Sequence, residues 1–404
     1  MKRRMRLIFS ILLLIPLLTG CWDQNELTDL ALVMAVGIDK GENGDKFDVS
    51  FQIVVPSNVA SGQMGGGGGE GPPVIVFKSS GNNVTEAARK IKLQISRRLF
   101  FAHISIVAIS EEVARENILD IIDGFDREPQ FRTTTPFVIT RDIKAEELLA
   151  TLTNLDKLPA EKLTKTLEVT EARLGENLTV SLDDFLIMLT SNGKEPVLGG
   201  FTIRGNPEKG ISLQELNDTK MSTVITGAGI AVFNTDKLVG WLDDGHARGA
   251  AWLMNKVKQT FINVPFAGKE NAISMVPYVS DTTIGISMRN GKPVANIKIE
   301  TALRLSEVNI PFDFQDPKKV PALQKNTAEQ IKKDVEAAIR QAQSYHADIF
   351  GFGERLYRKN PKQWKKVKEN WNELFATMDY RVSVKTYFRE SGSRNKPFWN
   401  EIKK

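Results

Sequence analysis

The chain of 404 residues contains one cysteine and only three histidines. A single thiol excludes an internal disulfide framework, so stability must come from buried apolar surface, which a chain this long can supply. The histidines are His103, His246 and His346, too few and too scattered for a zinc site, which draws on three or four well-spaced ligands. His103 lies in an apolar run read as a strand, where a hydrogen-bonded structural histidine is expected. His246 follows Asp243 and Asp244 in LDDGHARGA, and two acids in a turn point to a cap on the next helix. His346 falls near the end of a long predicted helix, where the dipole favours a cation.

Other signatures are missing too. There is no G-x-S-x-G elbow. The glycines of TGAGIA precede a strand rather than open a helix, so they do not make a dinucleotide fingerprint. Five consecutive glycines in SGQMGGGGGEGPP (61–73) are not followed by Gly-Lys-Ser/Thr, which excludes a phosphate loop and leaves a flexible excursion or linker. No catalytic residue, metal or cofactor is expected from these patterns. A basic excess suited to nucleic acid is also absent. The formal charge is +5, but Lys2, Arg3, Arg4 and Arg6 all lie in the first six residues; without them 50 Lys and Arg face 49 acids.

No apolar run reaches the roughly 20 residues that span a bilayer. The longest follows the basic head, from Leu7 to Leu18, and ends in Leu18-Thr19-Gly20-Cys21. A charged head, a short apolar middle and small residues describe a secretory signal. The ending resembles a bacterial lipobox, which implies cleavage between Gly20 and Cys21, an S-diacylglycerol cysteine and N-acylation of the new terminus. Lipid then consumes the only thiol. Two or more acyl chains make a stable anchor where one does not. Trp22, beside the lipid, suits the headgroup zone.

The remaining chain has ordinary globular composition, 41% hydrophobic and 25% charged. Ala31–Ile38 and the alternating Phe47, Val49, Phe51, Ile53 and Val55 flank a polar turn and predict a hairpin. From Val74 to Thr153 strands and helices alternate, favouring a small parallel or mixed sheet. One helix is expected with Val84, Ala88, Ile91, Ile95 and Leu99 on one face, and another through Val113, Ile118, Ile121 and Ile122 to Gly124. Residues 227–244 read as a hairpin with a polar turn from Asn234 to Lys237, and Asn290-Gly291 marks a second one. A helix is predicted from about Pro321 to Ile349, with Leu323, Ile331, Val335, Ile339 and Ala342 facing inward. Pro361 opens an amphipathic one with Trp364, Val367, Trp371, Leu374 and Met378 on one stripe, and the strand DYRVSVKTYF closes the pattern. The expected class is α+β and multi-domain: mixed α/β domains with a C-terminal antiparallel sheet packed by helices. The expected divisions are a signal at 1–20 and a first N-terminal part at 21–70. An inserted βαβ-type unit at 74–157 follows, then a second N-terminal part at 158–225 and a C-terminal α+β domain at 226–404.

Several stretches together resemble one family. Cys21-Trp22-Asp23 in CWDQNEL, then AVGIDK, RRLFFAHISIVAIS, AVFNTDKLVGWL and DIFGFGERLYRKNPKQWKKVKENWNELF are similar to the C-subunit lipoproteins of bacterial spore germinant receptors, the GerAC family. The likeness covers essentially the whole mature chain. The glycine-rich stretch is not part of it. The resemblance implies a lipid-anchored, non-enzymatic subunit on the outer face of the inner spore membrane. It also implies A and B membrane subunits as partners, in a receptor that couples nutrient sensing to germination. Only Cys21 receives a chemical role from it, as the palmitate-type lipid anchor.

One surface stands out from the residues themselves. In ERLYRKNPKQWKKVKEN, Arg355, Arg358, Lys359, Lys362, Lys365, Lys366 and Lys368 outnumber Glu354 and Glu369. Arg358, Lys359, Lys362, Lys365 and Lys366 form the candidate surface for anionic headgroups or an acidic partner, beside the plainer reading of a solvated helix face. Two other classes compete with a receptor subunit. A lipid-anchored solute-binding protein of a transporter would share the anchor but needs two similar lobes around a cleft, which the antiparallel hairpins fit poorly. A tethered envelope enzyme lacks its constellation.

Overall fold

The computed structural model describes residues 29–42, 44–59 and 71–390. Cys21, Trp22 and residues 61–70 of the glycine-rich stretch lie outside them. Two sheets form among the described residues.

The first sheet is built on β1 (Leu30–Lys40), β2 (Phe47–Val54), β3 (Val74–Gly81), β4 (Arg98–Phe100), β5 (Ile106–Ser110), β6 (Phe137–Thr140), β7 (Val197–Arg204), β8 (Val224–Asn234) and β9 (Lys237–Leu242). Its order is β3-β2-β1-β5-β6-β7-β8-β9, with β4 also beside β1. The centre, β1-β5-β6-β7, is parallel, and both flanks are antiparallel hairpins. A parallel centre needs cover on both faces, and the sequence supplies it. Ile106 and Ala108 of β5 face one core with Ala160, Leu163 and Leu167 of the helix Pro159–Arg173. Val107 and Ile109 face the other, with Ile121, Ile122 and Phe185.

The second sheet runs β10-β11-β12-β13, from β10 (Ile262–Phe266), β11 (Lys269–Arg289), β12 (Lys292–Val308) and β13 (Asp379–Glu390). Between β11 and β12 only Asn290 and Gly291 turn, both at positive φ (49° and 78°), the two-residue geometry that follows the twist of a hairpin. The 26-residue helix Lys319–Ser344 covers this sheet with Leu323, Ile331, Val335, Ile339 and Ala342, all fully buried. Its inward residues were read correctly from their spacing.

Several expectations change on contact with the fold. The second sheet is mixed, because β13 pairs with β12 in parallel. A chain returning through a long helical crossover can enter in that direction, whereas a tight hairpin cannot. The hairpin β8–β9, grouped on sequence with residues 226–404, hydrogen-bonds to β7 and completes the first sheet. That pairing satisfies the backbone groups β7 would otherwise leave bare. The helix expected through Val113 to Gly124 is two helices, Glu111–Glu116 and Leu119–Asp126. Asn117 breaks them with extended backbone and accepts the Leu119 N–H on its side chain. Leu99 leaves its predicted helix for β4. His103 is exposed in a turn after β4, its ring 5.6 Å from Phe100, and is no core histidine. Of the glycine-rich stretch, residues 71–73 are tied down: Val55 N–H donates to Pro73 O, and Asn58 donates to Pro72 O at 2.8 Å.

Candidate functional site

Two of the resembling segments that are distant in sequence, AVFNTDKLVGWL and DIFGFGERLYRKNPKQWKKVKENWNELF, meet at the junction between the two sheets. Its centre is Asp348, fully buried. The carboxylate accepts from Phe352 N–H at 3.1 Å, Gly353 N–H at 2.8 Å and Trp371 Nε1–H at 3.0 Å. Two of these donors are the otherwise unpaired N–H groups that open the helix Phe352–Lys359, so Asp348 caps it from four residues upstream. Burial pushes its pKa up to about 6, the hydrogen bonds from Gly353, Phe352 and Trp371 opposing the rise.

The loop between the helix Leu182–Thr190 and β7 docks against this cap. Asp348 O accepts from Glu195 N–H at 2.9 Å, and Gly193 O accepts from Glu354 N–H at 3.1 Å. Gly193 has φ +73°, and a Cβ there would lie 2.4 Å from the Trp364 ring and 2.8 Å from Gly353 Cα. Gly353 is equally confined, 2.6 Å from Trp371 Nε1 and 2.7 Å from Gly193 O. Only glycine fits at either position. Trp364 and Trp371 pack beside them with ring centroids 5.4 Å apart. Among the described residues Trp364 Nε1 is buried without a hydrogen-bond partner, so this ring contributes through packed area.

The β8–β9 hairpin supplies the third side. Asn234 donates to His346 O at 3.1 Å, Thr235 N–H to Glu195 at 2.6 Å, and Tyr345 OH to Trp241 O at 3.2 Å. Asn372 reaches Glu195 at 2.9 Å. His346 sits just past the long helix at φ +52°, its Nδ1 3.1 Å from Glu373. Asp243 occupies the N-cap position before His246 but makes no side-chain cap; it pairs with Arg141 at 2.7 Å instead. Among the described residues, no group of three or more His, Cys, Asp or Glu could hold a metal ion, and no helix is long and apolar enough to cross a membrane.

The candidate basic surface lies on the outer side of this junction. Its five members are all exposed and differ in commitment. Arg358 pairs with Glu354 at 2.5 Å, and Lys359 donates to Ile286 O at 3.1 Å. Lys362, Lys365 and Lys366, on the helix Pro361–Val367, have no carboxylate within 4.0 Å among the described residues. The stripe behind them holds Trp364, Trp371, Phe375 and Met378 buried, with Phe375 in the place expected for Leu374. It spans two short helices and a 3₁₀ turn rather than one helix.

Two family models match the chain. The description "Spore germination protein N-terminal domain" covers residues 23–203, and "Spore germination B3/GerAC like, C-terminal" covers 228–392. Spore germination protein KC of Bacillus subtilis (strain 168) is 38% identical over the full length of both chains. The chain belongs to the spore germination GerAC-like family. Spore germination protein B3 of the same organism is 22% identical over 93% of this chain and 95% of its own. The crystal structure of the GerBC protein aligns with a TM-score of 0.51 and 18% identity, covering 91% of this chain and 99% of that one. This likeness bears out the mixed α/β, multi-domain class. Nothing in the hydrophobic spacing marks Gly193, Glu195 or Asp348. The sequence signal is an aspartate two positions before the first of two consecutive Phe-Gly pairs.

Proposed function

We propose that this protein is the lipid-anchored, non-enzymatic C subunit of a spore germinant receptor, attached through Cys21 to the outer face of the inner spore membrane. It assembles there with the A and B membrane subunits. The observation that carries the reading is full-length similarity to spore germination protein KC at 38% identity, together with the single cysteine at position 21 behind a basic head and a short apolar run. The extensively bonded junction supports an assembly role, since it presents Lys362, Lys365 and Lys366 on a helix fixed from behind by Trp364 and Trp371.

Anchoring is tested with Cys21→Ala. The full chain is expected in the membrane fraction of spores, with a diacylglyceryl-modified Cys21 by mass spectrometry, and the variant in the soluble fraction. An unmodified thiol on a chain that stays out of the membrane pellet would overturn the reading. The basic surface is tested by reversing Lys362, Lys365 and Lys366 to Glu. Each lysine near an anionic surface is worth about 1 kcal/mol. Reduced recovery of the complex and slower germination are expected, with the thermal midpoint unchanged.

A further inference from the structure

Beside the junction lies a cleft of about 370 Å³ that the assembly role does not use. Its size is at the lower end for small-molecule sites. One wall comes from the helix Leu182–Thr190 and the loop after it; the other is the start of the helix Phe352–Lys359. Val180, Met188, Met254 and Ile349 supply an apolar side to a lining that is otherwise charged.

Four cations line it: Lys256 pairs with Glu171 and Arg358 with Glu354, which leaves Lys194 and Arg355. Lys194 Nζ has neither a hydrogen bond nor a carboxylate within 4.0 Å among the described residues. Arg355 donates from Nη1 to Phe350 O at 2.7 Å and to Gly351 O at 3.0 Å. Its Nε and Nη2, the other edge of the guanidinium, have no acceptor among the described residues. The two side chains approach each other over Gly351 beside Glu354; a Cβ there would lie 3.2 Å from Glu354 Oε2, 3.3 Å from Lys194 Cδ and 3.4 Å from Arg355 Nη1.

The neighbouring carboxylates are already engaged. Glu354 pairs with Arg358, Asp184 holds Ser181 at 2.8 Å, and Asp348 is enclosed by its three donors. Burial lowers the pKa of both cations, with Glu354 and Asp348 opposing the drop and the mutual repulsion of Arg355 and Lys194 adding to it at Lys194. Glu354 and Asp348 offset only part of the cost of two half-desolvated like charges, because Glu354 is shared with Arg358 and Asp348 with its three N–H donors; an anion between the cations removes more of it.

We propose that this cleft binds a small organic carboxylate with an apolar body. The carboxylate lies against Lys194 Nζ and the free Nε/Nη2 edge of Arg355, and the body lies on Met188, Met254 and Val180. A guanidinium edge matches the two oxygens of a planar carboxylate, and the hydrocarbon of Val180, Met188 and Met254 favours an acid with an apolar body over a bare inorganic anion.

The test is equilibrium dialysis of the detergent-solubilised full chain against radiolabelled isovalerate and phenylacetate. Isoamyl alcohol and inorganic phosphate serve as competitors. Saturable binding of at least one of the two acids is expected, with the alcohol and phosphate competing at least about tenfold less well. Lys194→Gln removes no hydrogen bond of the fold, so its thermal midpoint should stay put while acid binding weakens at least about tenfold. Ile187→Trp, at the exposed mouth, should block binding without altering either cation, and Lys362→Gln outside the cleft should leave it intact. The proposal is overturned by absence of saturable binding, by phosphate competing as well as the acids, or by full binding in Lys194→Gln.

Discussion

Asp348 shows how much one side chain can carry. Three N–H donors from Phe352, Gly353 and Trp371 point at it, and an amide could satisfy only part of them without opposing donor to donor. Asp348→Asn should therefore cost about 1–3 kcal/mol, read from urea midpoints at neutral pH. The pH dependence has a definite sign. With the native pKa raised to about 6 from 3.8, the folded state keeps a proton that the unfolded chain has released within that window. The contribution of Asp348 to stability falls as pH rises from about 4 to 6, and that slope should vanish in the asparagine variant. Gly193→Ala meets both a positive φ and the Trp364 ring, and should destabilise by about 1–3 kcal/mol. An unchanged midpoint in that variant would mean the contact is not held in solution.

At the scale of elements, local chemistry was legible wherever it decided the structure. The Asn290-Gly291 turn, the burial of Leu323, Ile331 and Val335, and the alternation along β12 all follow from spacing. Gly291→Val puts a β-branched residue at φ +78° and should cost about 1–2 kcal/mol, measured by urea denaturation. What could not be read depends on remote partners. The sequence of β8–β9 would suit either sheet; hydrogen bonds to β7 decide it. The break at Asn117 rests on a side chain taking a backbone N–H, a choice that hydrophobic spacing does not register. A second remote cap has the same logic. Asp39 of the AVGIDK segment accepts from Ala145 and Glu146 N–H at 2.7 and 2.9 Å, fixing the start of the helix Ala145–Ala150 from β1. Two segments that carry the family likeness thus each use a buried aspartate to start a helix. The bond between Asn58 and Pro72 already holds the ends of the glycine-rich excursion together. Deleting residues 61–70 while keeping 71–73 should leave the unfolding free energy within about 0.5 kcal/mol.

For the whole molecule, one buried apolar cluster runs from Val36 and Phe51 in the first sheet through Trp252 to Ile297 and Ile339 beside the second. A continuous core predicts a single cooperative unfolding transition, with intrinsic fluorescence and far-UV circular dichroism coincident, although the family models divide the chain in two. The junction was illegible in the sequence because its parts come from 193–195, 234–241 and 345–372 and acquire meaning only where they touch. Gly193 and Gly353 meet there main chain to main chain, with no side chain between them to flex. Such a joint behaves like a key in a slot rather than a cushioned pad. It offers no gradual slippage, so any rotation of one half against the other must begin by lifting the two peptides apart, and a signal crossing it would arrive as a step.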